Sequence, residues 1–171
     1  LMNDSNSQQN GLVWRTITPE DEAALVRLDA ACKEVDGVEP VSNLVRDVLK
    51  AAGVDSNNTL GVAAYQDLAG VAWVEAKSVK DGVQHITLGG QVHPDFRRRG
   101  IGEALLSWLE NRALALGQPE TTMRMIIRNE SLTADANVLY LDFGYENIFT
   151  EFMLVRSLEE SLPVRALPEE I

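Results

Sequence analysis

Val92-His93-Pro94-Asp95-Phe96-Arg97-Arg98-Arg99-Gly100-Ile101-Gly102 joins the end of an apolar, strand-like run to the start of an amphipathic helix. Two glycines and three arginines meet at that junction. The first N–H groups of a helix have no partner inside it, and the summed peptide dipoles make that end positive. Glycine lets a ligand approach the backbone closely. The segment therefore reads as a pyrophosphate cradle. It is not a Walker-type loop, because no Gly-Lys-Ser/Thr follows Gly102. It is not a dinucleotide fingerprint either, because Leu105 stands where a third glycine is needed.

Outward from the junction, the chain alternates between two periods. Upstream, Leu60–Tyr65, Gly70–Ala76 and Val83–Val92 read as three strands. Asp67–Gly70 looks like the first connection and Asp81-Gly82 is a hairpin signal for the second. Gly89-Gly90 inside the third strand predicts a bulge or a close ligand approach. Before them come a short strand at Leu12–Ile17 and two helices. The first is opened by Thr18-Pro19-Glu20-Asp21; the second spans about Val41–Ala52 and is ended by Gly53. Downstream, Gly100–Leu116 is the central helix, Thr121–Ile127 a strand and Ser131–Leu141 a short helix. Glu146–Arg156 supplies one or two last strands. Strands in a meander followed by alternation with helices predict an α/β domain with a mixed sheet.

Composition narrows the partners. The 171 residues carry 15 Lys plus Arg against 26 Asp plus Glu, a net charge of −11. Nucleic acid and anionic membrane both need a basic footprint, so neither is an expected partner. No apolar run reaches membrane-spanning length and no signal peptide is evident, so a cytoplasmic location is expected. With two His and one Cys, no metal site is expected. Cys32 sits in an apolar helical pattern and reads as a small buried hydrophobe.

The full junction string resembles the acyl-CoA signature of the GNAT superfamily of N-acetyltransferases, Gln/Arg-x-x-Gly-x-Gly/Ala. Arg97-Arg98-Arg99-Gly100-Ile101-Gly102 fits it, and Val92-His93-Pro94-Asp95-Phe96 matches the usual lead-in. A second match lies downstream, where Leu139-Tyr140-Leu141-Asp142-Phe143-Gly144-Tyr145 is similar to the family's Leu-Tyr-x-x-x-Gly-Phe element. There are two departures. Thr133 stands seven residues before the helix tyrosine, where the family often has Asn, and Tyr145 replaces Phe. The resemblance implies a GNAT-like, mixed, mostly antiparallel central sheet of six to seven strands flanked by about four helices. It places that domain at residues 11–158, between a mobile tail at 1–10 and a C-terminal tail or interdomain linker at 159–171.

It also implies a chemistry: acetyl transfer from acetyl-CoA to an amine by direct attack on the thioester. Gly90, Gln91 and Val92 would lie beside the pantetheine arm. Arg97, Arg98, Arg99, Gly100, Ile101, Gly102 and Glu103 would hold the pyrophosphate. Backbone N–H of Val92 or a neighbour would stabilise the carbonyl oxygen. Tyr140 matches the general-acid position, since a phenol stays protonated at neutral pH and can supply a proton to the leaving sulfur. For the amine's proton, Glu75, His85 and a backbone-held water all remain open. Asp36, Glu39, Glu146 and Glu151 could draw a cationic amine. Alternatives are a non-catalytic acyl-CoA-binding or regulatory domain, or one half of a tandem GNAT protein with a second domain after Ile171. A homodimer is one assembly the sequence leaves open.

Overall fold

A computed structural model describes residues 8–9, 11–37, 43–128 and 132–150. One sheet runs in chain order: β1 (Gln8–Gln9), β2 (Leu12–Arg15), β3 (Thr59–Ala64), β4 (Asp67–Ala76), β5 (Val83–Val92) and β6 (Thr122–Ile127). All neighbours are antiparallel except β5 and β6, which are parallel, so the sheet is mixed. Among the described residues four helices complete it: α1 (Glu22–Asp36), α2 (Leu44–Val54), α3 (Ile101–Leu116) and α4 (Ala134–Asp142).

Among the described residues the expected six to seven strands become five full strands, β2 to β6, plus the two-residue strip β1. That strip pairs with Leu12 and Val13, so part of the expected tail is sheet edge. The last expected strands, over Glu146–Arg156, are not formed at residues 146–150, and 151–156 lie outside the described residues. A local cause is visible: Asn147 accepts from Phe149 N at 3.1 Å and donates to Thr150 Oγ1 at 3.1 Å. Such short-range side-chain bonds compete with a ladder.

Other boundaries also shift. The β3–β4 turn is Tyr65-Gln66, not Asp67–Gly70, with Tyr65 at φ 57°. Asp81-Gly82 makes the expected hairpin, both residues at positive φ. Helix α2 starts where Asn43 Oδ1 accepts from Arg46 N at 2.9 Å, and it runs past Gly53 to Val54. The bulge falls in β4 rather than β5: Val62 pairs with Gly70 and Ala63 with Leu68, leaving Ala69 as the extra residue. The β4–β5 register is unbroken through Gly89 and Gly90. The reason for Gly89 is instead a close approach, because a Cβ there would lie 2.2 Å from the Trp73 ring.

The sheet separates two apolar clusters. On one face α3 packs Ile101, Leu105, Leu106, Leu109 and Ala113 against Val62, Ala72, Val74, Ile86 and Leu88. On the other, Leu25, Leu28 and Cys32 of α1 and Leu44 and Val48 of α2 cover Ile17, Leu68 and Val71. Val35, near the end of α1, is exposed. Buried Gln84 closes the far end of α3 by donating to Leu116 O and accepting from Gln118 N. At the head of α1, buried Asp21 takes a two-pronged Arg15 guanidinium and the Thr18 N–H.

Two outcomes follow from these contacts. Gly89→Ala forces the Trp73 ring to move and should cost about 1–3 kcal/mol, read as a lower urea midpoint with unchanged slope. Arg15 first, aided by Thr18, holds the Asp21 carboxyl below its ordinary range. A depressed folded-state value gives stability that is present above the unfolded value and lost as pH falls through the folded one. The thermal midpoint should therefore drop more steeply for the native chain than for Asp21→Asn between about pH 5 and about pH 3.

Candidate active site

The paired register of β5 with β6 ends at Leu88 and Ile127, while β5 continues to Val92 against β4. His85 O accepts from Lys77 N and His93 N donates to Ala69 O, so odd-numbered residues of β5 turn their backbone groups to β4. By alternation, those of Gly90 and Val92 face the side that β6 has left. This is the strand edge that a ligand amide could pair with. A Cβ at Gly90 would meet Val71 O at 3.1 Å, which keeps that stretch bare.

The edge leads directly into the cradle. His93 Nδ1 accepts from Asp95 N, Pro94–Phe96 form one tight turn, and Arg98 (φ 60°) and Gly100 (φ 78°) bend the backbone through the left-handed region. Alternating conformations of this kind gather consecutive N–H groups on one concave side. The first helical bond of α3 runs from Ala104 N to Gly100 O, leaving the N–H groups of Ile101, Gly102 and Glu103 directed outward. A Cβ at Gly102 would sit 3.4 Å from Leu139 Cδ2 and 3.9 Å from Val92 Cγ2. The helix start, the end of β5 and α4 thus converge at one point.

The three arginines, alike in sequence, have different surroundings. Arg97 places Nη1 and Nη2 on Asp36 at 2.7 and 2.8 Å, and Nε on Val92 O at 3.1 Å. Arg98 makes a fork with Asp135 at 2.9 and 3.1 Å, in the open. Arg99 lies 5.1 Å over the Phe96 ring and, among the described residues, forms no ion pair. Asp36, expected to draw a cationic amine, is instead neutralised by Arg97. Glu39 and Glu151 lie outside the described residues, and Glu146 is exposed.

Tyr140 belongs to the α3-side cluster, edge-on to Tyr145 at 6.4 Å. Burial first, then Glu110, pushes the Tyr145 phenol well above its ordinary value, so it stays protonated beside Tyr140. Thr133, the departure from the family pattern, caps α4 by accepting from Ala136 N. Glu75 and His85 are not brought together with Tyr140. Register and alternation put them with Trp73, Gly89 and Gln91 toward α1 and α2. There Glu75 is ion-paired to Lys50, and His85 is exposed. Buried Cys32 donates to Val92 O at 3.5 Å, and burial raises its thiol. Gln91 Oε1 is buried with no hydrogen-bond partner among the described residues. Among those residues no group of three or more His, Cys, Asp or Glu is placed to hold a metal ion, and no helix is long and apolar enough to cross a membrane.

A family model described as an acetyltransferase (GNAT) domain matches residues 56–147, from the strand before β4 through the cradle to α4. The chain belongs to this family. A mycothiol acetyltransferase of Thermobispora bispora is 30% identical over 154 residues, covering 90% of this chain and 48% of the relative. A GCN5-related N-acetyltransferase from Sphaerobacter thermophilus has 30% sequence identity and a TM-score of 0.59, over 81% of this chain and 44% of the other. A predicted acetyltransferase from Clostridium acetobutylicum, solved with acetyl-CoA, shares the fold at a TM-score of 0.60 and 15% identity, over 88% and 99% of the two chains. The chain spans less than half the length of the mycothiol acetyltransferases it matches.

What sequence reasoning missed is Asp135, the pairing of Asp36 with Arg97, and Tyr145 in its role as ring partner. The two acids lie 61 and 37 positions from the arginines they meet, so no local pattern pairs them. Because Arg97 and Arg98 are already compensated, Arg99 should carry most of the uncompensated attraction for a phosphate. In calorimetric titration with CoA at low salt, Arg99→Ala should lose more affinity than Arg98→Ala, and equal losses would refute this ranking.

Proposed function

We propose that this GNAT domain transfers an acetyl group from acetyl-CoA to an amine by direct attack on the thioester. The observation that carries the reading is the β5 edge from Gly90 to Val92, which β6 leaves uncovered and which runs straight into the start of α3, where no side chain caps the first N–H groups. A pantetheine arm pairs with the first, and a pyrophosphate sits on the second. The solved Clostridium relative, named with acetyl-CoA, supports the same donor.

In the reaction a C–N bond forms and the C–S bond breaks. The N–H of Val92 or Gly90 faces the carbonyl oxygen as it gains charge. Tyr140 gives a proton to the departing sulfur. The amine's proton leaves toward the α1/α2 face, where His85, Glu75 or a water receives it, and Glu75 must first release Lys50. A second reading rests on the relatives' length: the chain matches less than half of each mycothiol acetyltransferase, so it fits one lobe of a tandem protein. In that setting it could bind acyl-CoA without turnover.

Calorimetry with acetyl-CoA separates the outcomes. Absence of binding at millimolar ligand sinks both readings, and binding without turnover across a broad amine panel selects the second. If the first holds, Tyr140→Phe should lower kcat by about a hundredfold while CoA affinity changes by less than about twofold. A fall of about a hundredfold in kcat/KM in His85→Gln or in Glu75→Gln alone would identify the base, and near-native values in both would assign the step to water.

A further inference from the structure

We propose that Asp36 is a positioning residue for the acyl-CoA site and acts through Arg97. The inference rests on the donor reading above. Asp36 is the last residue of α1, on the opposite face of the sheet from α3. Both its oxygens are taken by the two terminal nitrogens of Arg97, with Arg97 28% and Asp36 15% exposed. A two-pronged, half-buried pair of this kind fixes direction as well as distance.

The pair acts on the ligand edge through one peptide. Arg97 Nε donates to Val92 O, and Cys32, one helical turn before Asp36, donates to the same oxygen. The N–H of that peptide, on His93, donates to Ala69 O at 2.9 Å. The Val92–His93 peptide is therefore held at both ends, and its plane sets the direction of the edge that precedes it. The same guanidinium belongs to the first cradle residue, so the pantetheine edge and the phosphate cradle share one anchor. Arg97 is thus the clasp of the site, while Arg98 and Arg99 stay near the ligand's charge. Asp36 keeps the clasp shut. It touches neither substrate, since its carboxylate is spent on Arg97.

Asp36 closes α1 immediately before Gly37, which caps the helix at φ 70°. The last turn of α1 is thereby fixed to Arg97.

A double-mutant cycle on the full chain, read as CoA affinity by calorimetry, tests the mechanism. Asp36→Ala and Arg97→Ala should each weaken CoA about tenfold. The double variant should be no weaker than Arg97→Ala alone, because Asp36 acts only through that residue. Wild-type-like affinity of Asp36→Ala overturns the proposal, and so do losses that multiply to about a hundredfold in the double variant. If Asp36→Ala does not fold, Asp36→Asn fills the same volume without the charge and is read by the same criteria. Melting curves confirm that each variant is folded at the titration temperature. A fall in midpoint with unchanged CoA affinity identifies a merely structural pair and also overturns the proposal. Failure of the unmutated chain to bind CoA would instead remove the donor reading itself.

Discussion

The peptide between Val92 and His93 is the constraint on which the site depends. Its carbonyl accepts from Arg97 and Cys32, and its N–H donates to the carbonyl of the bulged Ala69. A strand edge offered to a ligand is a row of unpaired donors and acceptors, which is costly to hold in place without a neighbour. Here β6 stops at Leu88 and the last residue of β5 is gripped from α1, from β4 and from the cradle. The opening survives because its far end is anchored rather than paired.

Electrostatics follow the same logic. A chain of net charge −11 repels a pyrophosphate at long range, so the cradle needs local positive charge. The helix start supplies part of it without any side chain. The arginines add to it unequally. Arg97 is compensated by a partly buried acid, Arg98 by an exposed one, and Arg99 rests on an aromatic ring. Position in the signature does not distribute their work; the acids that fold back onto them do.

Glycine is used in two distinct ways around the opening. Gly100 adopts a left-handed backbone that lets α3 start abruptly. Gly89 and Gly90 are extended, and they are bare because Trp73 and the Val71 carbonyl occupy the space a side chain would need. The pair reads from sequence as a bulge or a close ligand approach; the bulge belongs to β4 at Ala69. A glycine pair marks crowding as readily as curvature, and only the neighbour across the ladder distinguishes them.

Local periodicity and spacing were enough for the helices, the three-strand meander, the hairpin at Asp81-Gly82 and the glycine-marked start of α3. Each is decided by residues within a few positions of one another. Thr133, a departure from the family pattern, is explained equally locally as the cap of α4. No strand forms over residues 146–150, where Asn147 offers the backbone a competing set of bonds. Where β6 leaves β5, and which acid meets which arginine, were not legible. The partners of Arg97 and Arg98 lie 61 and 37 residues away and arrive only when α1 and α4 pack. By itself the sequence determined the glycine-marked start of α3, because a helix start and its glycines are short-range features. The tertiary structure alone decided which charges remain to act there, because compensation depends on distance in space.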